Sequence, residues 1–198
     1  MESRIISPCT MRETARGIAL TSIYDEMLAR RELSVTGQVT SEMAFDICQQ
    51  LLQLEQADPS AQITLYVASP GGSVSAGLAI VDTMRTISCP VRTVCLDTAA
   101  SMGAIIFVSG DRREMFPHAE LMIHDPLIQN AGGSALSVQE TSRRLMGLRR
   151  TLSQILADRS GLSVKRVQAL TAKDTFLTAE RAVELGFSDA IVPSRKAA

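Results

Sequence analysis

The heptapeptide Thr98-Ala-Ala-Ser-Met-Gly-Ala104 sets one hydroxyl, that of Ser101, among small residues and between two apolar runs, 91–96 and 104–108. A strand that turns sharply into a helix at a serine places that hydroxyl at the helix N-terminus. Unpaired N–H groups and the positive end of the helix dipole gather there. The chemistry on offer is nucleophilic: serine attacks an acyl group when a neighbouring base takes its proton and donors meet the developing oxyanion. A plainer role is open too, because serine is a favoured helix N-cap.

The base is usually histidine, and the chain has 2. His118 follows Pro117 in a turn. His124 closes an apolar run, 119–124, that reads as a strand, and a residue there is commonly set at a sheet edge. His124 is the better candidate; as a structural histidine it would instead bond beside Asp125 and Asp111. Such a base needs a carboxylate to hold its tautomer. Spacing does not choose among Asp97, Asp111, Asp125, Asp174 and Asp189. Oxyanion donors are offered by Pro70-Gly-Gly72, which lies after a strand and before a helix, where α/β sites collect. A tight turn or a phosphate-binding turn would use the same glycines, but neither GxGxxG nor a Walker lysine accompanies them.

The elements that must position these groups follow from periodicity. Residues 1–17 are polar and read as an arm, and 18–28 as a short helix. Leu33-Ser-Val-Thr36 alternates and stops at Gly37, as a strand does. Thr40 or Ser41 caps a helix with Met43, Ala44, Ile47, Cys48, Leu51 and Leu54 on its apolar face. Strands at 63–67 and 91–96 flank a helix from about Ser73 to Ile87. Strands separated by helices of this length imply right-handed βαβ crossovers and a mostly parallel sheet. Beyond Ser101 come short strands at 113–116 and 119–124, a loop at 130–133 and a long helix at 135–159. That helix carries a stripe of Leu145, Leu148, Leu152 and Ile155, with Arg143, Arg144, Arg149 and Arg150 read as a solvated face. A short helix capped by Ser163, a connector at 173–176, a helix from Thr178 to Leu185 and a strand at 190–192 complete the chain.

At 198 residues, 45% hydrophobic and 21% charged, the sequence fits one domain with a substantial core. A net charge of -1 gives no reason to expect nucleic acid or an anionic membrane as partner. No apolar run reaches a membrane span, and the N-terminus lacks the apolar core of a secretory signal. Cys9, Cys48, Cys89 and Cys95 show no CxxC spacing, so core thiols in a reducing, cytoplasmic setting are expected. No metal ligand set is recognisable.

Taken together, the chain resembles the proteolytic subunits of the Clp protease family, self-compartmentalised serine peptidases. The matching residues are Arg16-Gly17, Tyr24, 33–37, Leu65-Tyr-Val-Ala-Ser-Pro-Gly-Gly72, Asp82-Thr-Met84, Ala99-Ala-Ser-Met-Gly-Ala104, Pro117-His118, Leu121-Met-Ile-His-Asp-Pro-Leu127 and Asp174-Thr-Phe-Leu-Thr-Ala179. The resemblance implies a crotonase/ClpP-like α/β fold over 1–198, a parallel βαβ spiral sheet. It also implies an N-terminal arm or axial loop at 1–20 and a protruding handle helix at 134–160. By the same resemblance Ser101 is the nucleophile, His124 the general base and Asp174 the orienting carboxylate, with oxyanion donors at Gly72 and Met102. Tyr66 would lie near the docking site of an AAA+ unfoldase. Heptameric rings stacked as a tetradecamer would take unfolded polypeptide, with no cofactor in this subunit, because ATP is used by the partner ATPase.

Departures from the family pattern are Asp125 after the histidine, where glutamine is usual, the 128–133 loop, Ala172-Lys173, Asp111-Arg-Arg113 and Ser22. They point to a divergent paralogue working with a partner subunit. Two other classes compete with an active peptidase: an idle structural ring subunit, and a crotonase-type acyl-CoA enzyme.

Overall fold

The computed structural model describes residues 8–14, 17–128 and 132–194. Residues 1–7, 15 and 16 of the expected arm, and 129–131 around the expected loop, lie outside them. Strands β1 (Cys9–Thr14) and β2 (Gly17–Ser22) pair antiparallel, with Glu13 opposite Ile18 and Met11 opposite Leu20. The described part of the expected arm is therefore a hairpin, and the helix expected from Ile18 starts later. Ile18 and Leu20 recur at the two-residue period of a strand, which directs them and Met11 to one exposed apolar face. Helix α1 (Ile23–Ala29) begins where Ser22 and Asp25 form a reciprocal capping box.

Among the described residues, seven strands make the main sheet. β3 (Glu32–Val39), β4 (Ile63–Gly72), β5 (Val91–Ala100), β6 (Arg112–Met115) and β9 (Ala190–Ile191) follow in that order, all parallel. β3 continues beyond the expected stop at Gly37. That glycine adopts φ 76 at a register shift, and the strand resumes to Val39. α2 (Ser41–Ala57), capped by Thr40, and α3 (Val74–Thr86), capped by Ser73, are the crossovers; α4 (Met102–Val108) follows β5. Every residue of α4 is buried, Phe107 and Ile106 completely, so this short helix is the centre of the core.

β5 is the branching element. Its first half, 92–95, pairs with β6, and its end, 98–100, pairs in parallel with β7 (Glu120–Ile123). β7 then pairs antiparallel with β8 (Thr175–Thr178). In place of the connector expected at 173–176, the alternation Thr175, Phe176, Leu177, Thr178, with only Leu177 buried, suits an edge strand. α5 (Ala135–Ser160), α6 (Val164–Thr171) and α7 (Ala179–Glu184) complete the fold. Gly161, in the left-handed region at φ 76, ends α5.

One polar cluster ties the last third of the chain to the sheet. Arg113, 8% exposed, pairs with the Asp189 carboxylate and donates to the carbonyls of Arg159 (2.6 Å) and Gly186 (3.0 Å). Partial burial acts to raise the Asp189 carboxyl, but hydrogen bonds from the Arg113 side chain and amide outweigh it and hold the group below the usual carboxylate range. A carboxyl depressed by folding stabilises the protein above its unfolded value, and that contribution is lost as pH falls through the folded one. Arg113→Ala is expected to cost about 3 kcal/mol in urea unfolding, the low end for breaking a buried pair, because Asp189 still meets solvent. The variant should also lose the part of the acid sensitivity that Asp189 carries, read as a flatter unfolding free energy against pH below neutrality.

Candidate active site

Ser101 joins β5 to α4 with φ 53 and ψ -119. These are the dihedrals of the first central position of a type II′ turn, which glycine normally occupies. Its amide donates to the Met122 carbonyl (2.9 Å), and its carbonyl accepts from Ala104 and Ile105. The backbone is thus pinned to β7 on one side and to α4 on the other. The side chain makes no capping hydrogen bond. Instead Ser101 Oγ lies 2.9 Å from His124 Nε2. The N-cap role left open by the sequence is not the one observed.

The register explains the pairing. Ala100 faces Met122 in the β5–β7 ladder, so the residues just past each strand end emerge at the same sheet edge. Gly71 supplies the third wall at φ 96. A Cβ built there would come within 2.7 Å of Ser101 Cβ, 2.8 Å of the Ala100 carbonyl oxygen and 2.9 Å of the Met102 nitrogen. Gly72 follows at φ 151, where a Cβ would meet the Val39 oxygen at 2.4 Å. Met102 opens α4, so its N–H belongs to the first turn, which no intrahelical carbonyl satisfies.

Ser101, His124, Gly72 and Met102 line one cavity of about 400 Å³. Its floor is apolar, built by Ile105, Leu152 and Leu156, with Ser153 among them. Asp125, Arg149 and Thr171 form a polar wall. The sequence placed Arg149 on a solvated face. In the structure it is half-buried and its Nε donates to Asp125 Oδ2 at 2.6 Å. The signal was present: Arg149 stands four after Leu145 and three before Leu152, inside the apolar stripe rather than opposite it.

The five acids left open by spacing now separate. Asp111 accepts from the Val91 amide (2.8 Å), Asp97 from the amide of Thr98, Asp125 from Thr171 and Arg149, and Asp189 from Arg113. Asp174 makes no hydrogen bond or ion pair among the described residues, and it is exposed. The β7–β8 register pairs Ile123 with Thr175; continued by one rung, it sets Asp174 across from His124. The structure therefore brings Ser101 and His124 into contact and leaves Asp174 without a bond to the histidine. Tyr66 lies elsewhere, half-buried in the middle of β4 between Ser34 and Val94.

A hydroxyl on a strained strand-to-helix turn, in contact with an imidazole and flanked by glycine and helix-end amides, is equipped for acyl transfer through a serine. Comparison with known proteins narrows that class. The family model described as Clp protease matches residues 15–195. A Streptococcus suis (strain 98HAH33) protein named ATP-dependent Clp protease proteolytic subunit is 43% identical over 196 residues, spanning 96% of this chain and 98% of that one. Proteins of the same name from Streptococcus agalactiae serotype V and serotype III are each 44% identical over 188 residues, spanning 93% of this chain and 96% of theirs. The chain belongs to the Clp protease family and is a peptidase of the Clp type. Among the described residues, no helix is long and apolar enough to cross a membrane.

Proposed function

We propose that this chain is the proteolytic subunit of a self-compartmentalised, cytoplasmic serine endopeptidase that cleaves unfolded polypeptides delivered by an AAA+ unfoldase. The observation that carries it is the 2.9 Å contact of Ser101 Oγ with His124 Nε2. His124 takes the Ser101 proton as Oγ attacks the scissile carbonyl, and the N–H groups of Gly72 and Met102 receive the oxyanion. His124 then returns the proton to the leaving amine, and water repeats the sequence on the acyl-enzyme. Asp174 steadies the imidazolium once its carboxylate comes within hydrogen-bond reach of His124. The apolar cavity floor suits an apolar side chain beside the cleaved bond.

ATP has no place in this cycle and is spent by the partner ATPase. Assembly into rings is supported by exposed apolar side chains that a lone subunit leaves uncovered: Leu136, Val138 and Met146 on α5, and Phe45 and Leu52 on α2. A fluorophosphonate probe is the direct test. Ser101 should be labelled in the assembled protein, and peptide hydrolysis should disappear with labelling in Ser101→Ala. Failure of the assembled protein to label would overturn the proposal.

A second reading, an idle ring subunit activated or replaced by a paralogous partner, is favoured by one observation: Asp174 is unbonded to His124. Mixed assembly with a partner whose own serine has been removed distinguishes the two. Turnover by the mixture assigns catalysis to this chain.

A further inference from the structure

Asp125 is held at its amide and at both carboxylate oxygens. Its amide donates to the Thr171 carbonyl (2.7 Å), Oδ1 accepts from Thr171 Oγ1 (2.7 Å), and Oδ2 accepts from Arg149 Nε (2.6 Å). These bonds reach the C-terminal turn of α6 and the middle of α5. On the other side of His124, Ile123 is held in the ladder with Thr175. His124 is therefore a single residue spanning two anchored neighbours, and Pro126, with no N–H, follows the second anchor. The Asp174 carboxylate makes no bond to the ring. What holds the imidazole at 2.9 Å from Ser101 is then the placement of its backbone.

We propose that Asp125, clamped by Arg149 and Thr171, is the positioning residue for His124, and that Arg149 makes α5 part of the catalytic support. The proposal rests on the serine-peptidase reading above. It assigns neither side chain a contact with the reacting atoms. Asp125 accepts from one hydroxyl and one guanidinium, a pairing that needs an anionic, two-oxygen acceptor and that a glutamine at this position would not reproduce. A misplacement on the order of 1 Å at a reacting group is enough to slow chemistry by roughly a hundredfold.

The experiment measures two quantities on the assembled full-length chain: the rate of fluorophosphonate labelling at Ser101, and kcat and KM for a fluorogenic peptide. The variants are Asp125→Asn, Arg149→Ala, Arg149→Lys and the double variant Asp125→Asn/Arg149→Ala. Assembly state and melting temperature are followed alongside. Asp125→Asn and Arg149→Ala are each expected to lower labelling rate and kcat together by about 10- to 100-fold, with KM unchanged. Arg149→Lys should retain part of the loss, because it keeps the charge but not the planar fork. The double variant should be no slower than the slower single one, since both remove the same clamp.

Three results would overturn the proposal. One is a rise in KM at constant kcat, which would make these residues substrate contacts. Another is labelling at the wild-type rate in both single variants. The third is a loss that merely follows the assembled fraction. An unlabelled wild-type protein is a separate outcome, which removes the serine-peptidase reading itself and the proposal with it.

Discussion

Ser101→Gly is expected to abolish peptide hydrolysis while making the protein more stable. The loss follows from removing the proposed nucleophile, since turnover falls by on the order of a thousandfold to a millionfold when an acyl-transfer triad loses a member. The gain follows from the backbone. Ser101 holds φ 53 and ψ -119, a conformation that glycine adopts freely and that costs a residue with a side chain about 1–3 kcal/mol. Glycine also gives the unfolded chain more freedom, which takes back about 0.5–1 kcal/mol. The net is a stabilisation of about 1 kcal/mol, or a few degrees in melting temperature for a domain of this size. Ser101→Ala should be equally inactive but gain nothing, since a Cβ remains. A glycine variant that melts below the alanine one would show that the turn is not strained.

The second large effect is expected at Gly71→Ala. The added methyl would come within 2.9 Å or less of Ser101 Cβ, the Ala100 oxygen and the Met102 nitrogen, none of which is the end of a flexible side chain. At φ 96 the residue would be strained even in open space. Strain and overpacking each cost about 1–3 kcal/mol, so the sum is roughly 2–5 kcal/mol, a large share of the ordinary stability of a domain. Whatever survives should have Ser101 pushed from His124 and turnover down by about a hundredfold or more. Gly147→Ala is the control, because a Cβ there meets nothing within 4 Å and lies within α5. It should be neutral or slightly stabilising. Equal damage from both substitutions would mean that Gly71 has no special place beside the nucleophile.

The parts of this site visible in the sequence were those set by short-range rules. Thr40, Ser73 and Ser163 cap their helices as residue type alone suggests. Ser101 stood out because a serine between an apolar strand and an apolar helix has few other reasons to be surrounded by Ala99, Ala100, Gly103 and Ala104. Histidine scarcity then brought His124 forward. The carboxylate stayed open because its choice depends on which strand lies beside β7. Thr175–Thr178 is too short and too exposed to announce itself, so neither β8 nor the rung opposite His124 was readable. Arg149 was misplaced for a different reason: its charge outweighed its position in the stripe. The hairpin at 9–22 was hidden by polar residues in β1, although Ile18 and Leu20 kept strand spacing.

The complete enclosure of α4 has a consequence for how such a peptidase can be altered. Around Ser101, residues answer to packing as well as chemistry: Gly103 faces the Ser69 backbone, Gly77 faces the Met102 side chain, and Phe107 and Val108 have no solvent contact. Descendants of this sequence therefore have little room to vary within the helix itself. Diversification of preference is left to α5, whose Leu152, Ser153 and Leu156 meet the same cavity from a separate helix. Redesign aimed at new cleavage tastes should begin on α5 and treat the helix behind Ser101 as a fixed chassis.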